Sequence, residues 1–296
     1  MLAIPRRVPA SSSFSLPGYV PLALERERHN MLGVKVKIGE KSAYLAVDTG
    51  APAACIEKSM AATLGVKQLG TRRVKVNGQD AYVTIVPSID FGSFQIQNVP
   101  ATIMDLRKVN LASWRGGGAK MDGLLGVHTL LANKAILSPG DARLLFRAAA
   151  GNSDTLGPQL LKAGWMEVPI KIQKAYACVV LNIDGIPARF VIDTGSGFLT
   201  LDRAFAEKNN VARGGSRYSS TMIGREQRRT MLSKARSLSI AGRALWPVVM
   251  PIFDLSGFDP AAGDALPFGG LLGSEVLVRN AAIIDFGALK LYLKPQ

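Results

Sequence analysis

The sequence has no apolar run of the roughly 18 residues that a membrane-spanning helix needs. The stretch at residues 245–253 is far too short, so we expect no transmembrane segment. Cys55 and Cys178 are the only cysteines, too few for a disulfide framework, and we expect two buried thiols. His29 and His128 are the only histidines and lack any ligand spacing, so we expect neither a metal nor another cofactor.

Length, composition and charge set further limits. The chain has 296 residues, enough for one large domain or two smaller ones, and its 48% hydrophobic content excludes general disorder. The net charge of +14 allows a nucleic acid, an anionic lipid or an acidic substrate as partner. The densest basic stretch, residues 213–243, has almost no interleaved aromatics. We therefore interpret it as a solvated surface and expect no nucleic acid partner.

The chain repeats itself. Residues 44–51 and 189–196 each place Asp-Thr-Gly after an apolar run, with Asp48 and Asp193 145 residues apart. A Gly-Leu-Leu-Gly segment follows each, at 123–126 and 270–273, and the trailing segments also align. Two halves of about 147 residues therefore share one plan.

The local pattern of both halves is that of β-structure. Residues 34–38 alternate apolar and polar side chains, and an Asn-Gly pair inside residues 74–79 predicts a hairpin. Short helices are expected at 57–64 and 202–209, after each Asp-Thr-Gly. The joint between the halves is expected at residues 148–153 and Gly157-Pro158. The fold class is predicted to be mostly β with two homologous lobes.

A carboxylate at the end of a buried strand must be paired, hydrogen-bonded or neutralised. A pseudo-twofold axis that brings Asp48 and Asp193 together would let them share one proton, leaving one acid and one base. Water between them would then be activated by one carboxylate while the other polarises a carbonyl, which is hydrolysis of an amide without metal. Gly50 and Gly195 would let backbone N–H groups approach the carboxylates.

Taken together, these motifs resemble the retropepsin-like aspartic proteases of bacterial type, with two such units fused in one chain. The resemblance covers nearly everything from residue 31 to residue 293. It implies a bilobal acid-protease-type β-barrel fold with the active site between the lobes. It also implies an aspartic endopeptidase with Asp48 and Asp193 as the catalytic pair, supported by Thr49, Gly50, Thr194 and Gly195.

The same resemblance implies a set of residues that bind substrate. Ala51 and Ser196 follow the two Asp-Thr-Gly motifs, and Leu124 and Leu271 would line apolar pockets. The candidate tips of a flap over the substrate are Asn77-Gly78 in the first half and Ile223-Gly224 in the second. Cys55 and Thr200, seven residues past each aspartate, would also face the cleft.

We expect the partner to be a peptide or protein substrate and the protein to be a monomer, since one chain supplies both aspartates. The chain is divided into an N-terminal arm or processed segment (1–30), lobe 1 (31–150) and lobe 2 (151–296). Residues 1–20 lack the apolar segment of a signal peptide. A periplasmic or secreted location is suspected from the resemblance alone.

Departures from the family pattern and two alternatives accompany this interpretation. The acidic residues that often follow the motif in homodimers of the family are replaced by Pro52 and Ala53, and by Gly197 and Phe198. One alternative function is a catalytically silent peptide-binding protein of the same fold. Another is an actin-like ATPase, for which the chain is short and lacks a convincing Gly-rich nucleotide segment.

Overall fold

The computed structural model of the chain describes residues 16–76, 79–107, 121–148, 156–211, 213–220, 228–245, 249–259 and 263–294. The described residues form two similar lobes made mainly of β-strands, together with a sheet that both lobes share. The mostly β, two-lobed fold predicted from the sequence is therefore confirmed.

The described residues of lobe 1 form the first eleven strands, two short helices and a 3-10 turn at Arg28–Asn30. The strands are β1 (Tyr19–Ala23), β2 (Glu25–Arg26), β3 (Leu32–Ile38), β4 (Lys41–Val47), β5 (Ala54–Glu57), β6 (Gln68–Val76), β7 (Gln79–Asp90), β8 (Gln95–Met104), β9 (Gly123–Leu125), β10 (Ile136–Ser138) and β11 (Arg143–Arg147). The helices are α1 (Lys58–Ala61) and α2 (Val127–Ala132).

In lobe 2 the described residues form the remaining strands and three helices, with a 3-10 turn at Ser256–Phe258. Its strands are β12 (Met166–Pro169), β13 (Lys171–Gln173), β14 (Tyr176–Ile183), β15 (Ile186–Asp193), β16 (Thr200–Asp202), β17 (Arg213–Ser220), β18 (Arg228–Lys234), β19 (Leu238–Ile240), β20 (Arg243–Ala244), β21 (Val249–Phe253), β22 (Phe268–Gly273), β23 (Ile283–Asp285) and β24 (Lys290–Leu293). The helices are α3 (Leu156–Lys162), α4 (Arg203–Lys208) and α5 (Ser274–Arg279).

The sheet of lobe 1 closes into a six-stranded barrel. Its strands follow the order β3, β4, β9, β5, β8 and β7, and a pairing of Lys37 with Asp90 returns β7 to β3. Strand β3 shows why such a sheet forms, because Val34, Val36 and Ile38 are buried while the lysines between them are exposed. Each strand therefore presents one apolar face to the barrel interior.

Lobe 2 repeats this barrel with one interruption. The order β14, β15, β22, β16 and β21 corresponds to β3, β4, β9, β5 and β8 of lobe 1. Where lobe 1 has the long strand β7, lobe 2 has β18 pairing with β21 and β19 pairing with β14. The two barrels thus position their Asp-Thr-Gly segments in the same way.

A six-stranded antiparallel sheet joins the lobes, in the order β1, β11, β10, β23, β24 and β12. Each lobe contributes three strands, and the two sets meet where Ile136 pairs with Asp285 and Leu137 pairs with Ile284. One face of this sheet packs on a single apolar core that includes residues of both lobes. Its other face, with Ile136 and Ile283, packs against α3.

Strand β1 extends the shared sheet by pairing along its length with β11, from Tyr19 opposite Arg147 to Ala23 opposite Arg143. Leu16 and Tyr19 are buried, so the chain is part of the packed molecule from the first described residue. The division of the chain at residues 31 and 151 stays a prediction.

The two helices expected after the Asp-Thr-Gly segments are present as α1 and α4, each shorter than expected. Of the expected joint, residues 149–153 lie outside the described residues, and Gly157 and Pro158 lie in the first turn of α3, between β11 and β12. Proline is tolerated there, since the first N–H groups of a helix have no intrahelical partner. Within the described ranges, every helix is too short or too polar to span a lipid bilayer.

Candidate active site

Asp48 and Asp193 occupy equivalent positions at the ends of β4 and β15, which are equivalent strands of the two barrels. Asp48 follows β4 directly and its N–H donates to the carbonyl of Leu125 at 3.0 Å. Asp193 ends β15 and lies beside Gly273 of the parallel strand β22. Asp193 is only 7% exposed and Asp48 is partly exposed.

The two aspartates meet between the lobes, where their carboxyl groups lie close enough to affect each other's pKa. Each one also lies against the glycine that follows the other. A Cβ added to Gly50 would lie 2.4 Å from Cγ of Asp193, and one added to Gly195 would lie 2.5 Å from Oδ1 of Asp48. Only glycine fits at these two positions, because any side chain would displace a carboxyl group.

Backbone N–H groups of the two motifs hold the carboxyl groups in place. The N–H of Gly50 donates to Oδ1 of Asp48 at 2.9 Å, and the N–H of Gly195 donates to Oδ1 of Asp193 at 2.9 Å. Asp193 accepts a further bond from the N–H of Ser196 at 3.0 Å. These hydrogen bonds favour the ionised form and lower the pKa of each carboxyl group, but burial raises the pKa by more.

Both carboxyl groups have raised pKa values. Burial raises the pKa of Asp48, and the hydrogen bond from Gly50 opposes this effect. Burial and then the charge of Asp48 raise the pKa of Asp193 well above its ordinary value. Two interacting carboxyl groups release their protons in two separate steps, so the pair retains one proton over a range of pH in which isolated carboxyl groups are ionised.

A symmetric pair of threonines lies beneath the carboxyl groups and joins the two loops. The N–H of Thr49 donates to Oγ1 of Thr194, and the N–H of Thr194 donates to Oγ1 of Thr49, both at 3.0 Å. The hydroxyl of Thr49 donates to the carbonyl of Ile192, and that of Thr194 to the carbonyl of Val47, both at 2.7 Å. Both threonines are fully buried, so these four bonds fix the loops relative to each other.

The first turns of two helices support the loops from behind. In lobe 1 the N–H groups of Val127 and His128, in α2, donate to the carbonyls of Ala51 and Pro52 at 2.9 Å. In lobe 2 the N–H of Ser274, in α5, donates to the carbonyl of Ser196 at 2.8 Å. The hydroxyl of Ser274 also donates to the carbonyl of Thr194 at 3.0 Å. Sequence analysis did not identify Ser274, whose only signal is its place directly after the second Gly-Leu-Leu-Gly segment.

The N-terminal segment of lobe 1 crosses to the second loop, which sequence analysis also missed. The 3-10 turn at Arg28–Asn30 contacts α5, and His29 packs against the loop after Asp193. A Cβ added to Gly197 would lie 2.5 Å from Cβ of His29, and the rings of His29 and Phe198 are 5.3 Å apart. Burial and the neighbouring Arg28 lower the pKa of His29.

The other predicted substrate-binding residues fall into three groups. Leu124 and Leu271 are buried in separate apolar clusters, and Leu124 pairs with Cys55 just as Leu271 pairs with Thr200. Ala51 is partly exposed, like Ser196. The predicted flap tips Asn77, Gly78, Ile223 and Gly224 lie outside the described residues. The pairing of β6 with β7 is described as far as Val76 opposite Gln79.

The chemistry available at this site is that of carboxyl groups. Cys55 and Cys178 are free and buried, and burial raises the pKa of each thiol to about 12, so neither is a thiolate at neutral pH. Among the described residues, no group of three or more His, Cys, Asp or Glu side chains is placed to hold a metal ion. The arrangement can therefore exchange protons with a water molecule and a carbonyl oxygen through the aspartates.

Comparison with known proteins gives two findings. A family model described as aspartyl protease matches the chain twice, at residues 34–129 and 179–276, and each match includes one Asp-Thr-Gly segment. Among solved structures, the chain is similar to a retropepsin-like aspartic protease from Rickettsia conorii, with 21% sequence identity and a TM-score of 0.31. That similarity covers 44% of this chain and 90% of the other. No curated protein matches the sequence.

Proposed function

The chain belongs to the aspartyl protease family and contains two retropepsin-like units, and from this premise we propose that it is an aspartic endopeptidase. One observation carries the proposal. Asp48 and Asp193 come from equivalent positions of the two units, and the carboxyl group of each lies against the glycine that follows the other, close enough for the two groups to affect each other's pKa. Such a pair supplies an acid and a base at the same pH.

The proposed reaction uses both protonation states of the pair. The ionised carboxyl group accepts a proton from a water molecule as that water attacks the peptide carbonyl carbon. The protonated carboxyl group donates its proton to the carbonyl oxygen, which gives a tetrahedral diol. The diol then collapses: the protonated carboxyl group gives its proton to the leaving nitrogen, the ionised one accepts a proton from a diol hydroxyl, and the C–N bond breaks. The pair ends with one proton, as it began.

The supporting residues keep the two carboxyl groups in position without reacting themselves. The threonine pair connects the loops, and the N–H groups of Gly50 and Gly195 orient one oxygen of each carboxyl group. Because this geometry exists before substrate arrives, little reorganisation is needed when charge develops on the carbonyl oxygen.

The proposed substrate is a peptide in extended conformation, with its backbone bound between the lobes. Leu124 and Leu271 support apolar side chains next to the bond that is cleaved. Ala51 and Ser196 follow the two glycines and are placed to contact the peptide backbone. Asn77-Gly78 and Ile223-Gly224 stay the proposed flap tips. A single chain supplies both carboxyl groups, so the proposed active form is a monomer.

The test is cleavage of a diverse peptide library between about pH 3 and pH 8, a range that covers the titration of coupled carboxyl pairs. Asp48→Asn and Asp193→Asn keep the shape of the side chain but remove its ability to carry and release a proton. Each is expected to lower kcat by at least about 10²-fold, the usual contribution of a general acid or base. Asp90→Asn is the control, since this aspartate caps a turn remote from the cleft by accepting from Gly92.

Two results would contradict the proposal. If either Asn variant cleaved as fast as the wild type, the shared-proton mechanism would be wrong. If the wild type bound peptides without cleaving any of them throughout this range of pH, the alternative of a catalytically silent peptide-binding protein would replace it.

A further inference from the structure

Each lobe has a second apolar cluster, separate from the main core. The lobe-1 cluster consists of Met31, Ala46, Cys55, Ala81, Met104, Leu106, Met121 and Leu124. The lobe-2 cluster consists of Cys178, Val191, Phe253, Leu255, Phe258, Phe268 and Leu271, with Tyr176 packed against it. Of the residues in these two clusters, only Cys55, Leu124 and Leu271 were predicted from the sequence to lie at the substrate cleft.

Both clusters lie on the face of the barrel that carries the aspartates. In β4, Leu45 and Val47 point into the main core, whereas Ala46 between them belongs to the lobe-1 cluster. Side chains alternate along a strand, so the next residue on the side of Ala46 is Asp48. In lobe 2, Val191 and Asp193 of β15 are related in the same way.

Electrostatic effects confirm that the clusters lie near the carboxyl pair. The charge of Asp48 contributes to the raised pKa of Cys55, although burial contributes most. Burial, then Asp193 and then Asp48 raise the pKa of Tyr176. Tyr176 is partly exposed, so its ring is available at the surface next to the pair.

The two clusters are equivalent position by position. Ala46 pairs with Leu124 just as Val191 pairs with Leu271. Met104 ends β8 opposite Glu57, and Phe253 ends β21 opposite Asp202. The repeat therefore allows the side chains of the two halves to be compared directly.

At three equivalent positions, lobe 1 has methionine and lobe 2 has an aromatic residue. The pairs are Met31 with Tyr176, Met104 with Phe253, and Met121 with Phe268, which are 145, 149 and 147 residues apart. A further aromatic residue, Phe258, lies 6.5 Å from Tyr176 between ring centroids. The two sides of the cleft thus differ in chemistry although they share a backbone plan.

A buried ion-pair network fixes the aromatic side, and it is centred on a residue whose equivalent in lobe 1 has different chemistry. Arg189, only 5% exposed, donates to Asp259 at 3.0 Å and to the carbonyl of Leu266 at 2.9 Å. These partners lie in the segment that begins after Phe258 and ends before Phe268. The equivalent residue in lobe 1 is Tyr44, whose hydroxyl donates to Glu27 at 2.7 Å. The Arg189 side chain therefore binds the chain next to Phe258 and again shortly before Phe268, and so restrains both rings.

Building on the proposed peptidase activity, we propose that the two residues flanking the cleaved bond are selected differently, an aromatic side chain on the lobe-2 side and a broad range of apolar side chains on the lobe-1 side. Rings held rigidly in place favour a substrate ring in offset or edge-to-face contact. Methionine side chains are unbranched and adapt to ligands of different shape. The presence of methionine in lobe 1 and of aromatic residues at the equivalent positions of lobe 2 is thus expected to make the two flanking positions differ in substrate preference.

The experiment measures kcat/KM for peptides in which the two positions flanking the cleaved bond are varied independently. The wild type is expected to prefer aromatic over aliphatic residues at one flanking position and to show no such preference at the other. The lobe-2 variant Tyr176→Met/Phe253→Met/Phe268→Met is expected to lower the aromatic preference roughly two- to tenfold, the size of an aromatic pair contact. The other flanking position should keep its profile.

The reciprocal variant Met104→Phe is the matched control, because it introduces a ring at the equivalent position of lobe 1. It is expected to change the profile at the other flanking position only. Should the triple variant fail to fold, Tyr176→Met gives the same test, since Tyr176 is partly exposed and its replacement disturbs the core least.

Equal preferences at both flanking positions in the wild type would overturn the inference. So would an unchanged profile in a folded, active lobe-2 variant. These results differ from failure of the proposed function, in which Asp193→Asn would cleave normally or the wild type would not cleave at all.

Discussion

At the scale of the residue, Asp48 and Asp193 are equivalent in sequence but differ in their surroundings. Asp193 is the more buried of the two, and it accepts hydrogen bonds from both Gly195 and Ser196. The charge of Asp48 nevertheless raises its pKa further, after the larger effect of burial. The pair is therefore costly for folding at a pH where isolated carboxyl groups are ionised.

This cost gives the first prediction, for stability as a function of pH. The pKa of Asp193 is raised on folding, so above the ordinary carboxyl pKa the folded protein holds more protons than the unfolded chain. Stability therefore falls as the pH rises through the raised pKa. The variant D193N cannot ionise, and we expect it to be more stable than wild type at pH 7 by about 0.5–2 kcal/mol, and to lose this advantage at low pH.

Thermal unfolding of D193N and wild type at several pH values tests the prediction, with D90N as the control for an exposed aspartate. If the difference in stability between D193N and wild type were the same at every pH, the raised pKa of Asp193 would have no effect on folding.

The threonine pair gives a second prediction. T194A removes the hydroxyl that accepts from the N–H of Thr49 and donates to the carbonyl of Val47. Each buried backbone group left without a partner costs about 1–3 kcal/mol. T194S keeps the hydroxyl and loses only a methyl group, at about 1 kcal/mol. Urea unfolding compares the two variants, and equal midpoints would mean that the hydroxyl contributes nothing to stability.

Sequence analysis identified the residues of the site whose role is local and repeated. Asp48, Asp193 and the threonines are recognisable because the same three-residue motif occurs twice after an apolar strand. Arg189 and His29 were not recognised, because their partners lie far along the chain. Arg189 contacts residues about 70 positions away, and His29 packs against Phe198 of the other lobe. Local periodicity contains no information on such contacts.

At the scale of secondary structure, helix α4 begins at a side-chain cap. Asp202 precedes α4 and accepts from the N–H of Phe205 at 3.2 Å. Its other oxygen accepts from the N–H of Leu255 at 3.0 Å, a residue of the lobe-2 cluster. One buried carboxylate therefore both begins the helix and holds the segment that follows β21.

We expect D202A to lower the free energy of unfolding by about 1–3 kcal/mol, because it removes a helix cap and leaves a buried N–H without a partner. D202N retains one side-chain carbonyl and should lie between D202A and wild type. Denaturant unfolding provides the measurement. A D202A protein as stable as wild type would mean that water replaces both bonds.

The elements themselves were only partly predictable from sequence. Strands with a strict apolar–polar alternation, such as β3, were identified correctly, as were the two short helices. The Gly157-Pro158 signal did not reveal that both residues lie in a helix, since proline suits the first turn of a helix as well as a loop. The shared sheet was not predicted, because its register is set by pairing between strands from opposite ends of the chain, such as β10 with β23.

At the scale of the whole molecule, the lobes share one core. Leu137 and Ile284 pair across the junction, are fully buried, and belong to the same apolar cluster as the interiors of both barrels. Separating the lobes would expose this buried apolar surface, so we do not expect one lobe to remain folded without the other.

We therefore expect the full chain to unfold in a single cooperative transition, with calorimetric and van't Hoff enthalpies in agreement. I284A should lower the stability by about 2–5 kcal/mol through the cavity that it leaves at the junction. It should lower the temperature of the one transition rather than split it in two. Two separate transitions in wild type, one for each lobe, would contradict a shared core.

The meeting of the two units at β10 and β23 has the geometry of a twofold dimer, but both units belong to one polypeptide. Two separate chains would come apart on dilution, and each would take its aspartate with it. Here the tether keeps the second unit at an effective concentration in the millimolar range whatever the amount of protein. We therefore expect the proposed peptidase activity per molecule to be the same in a dilute solution as in a concentrated one.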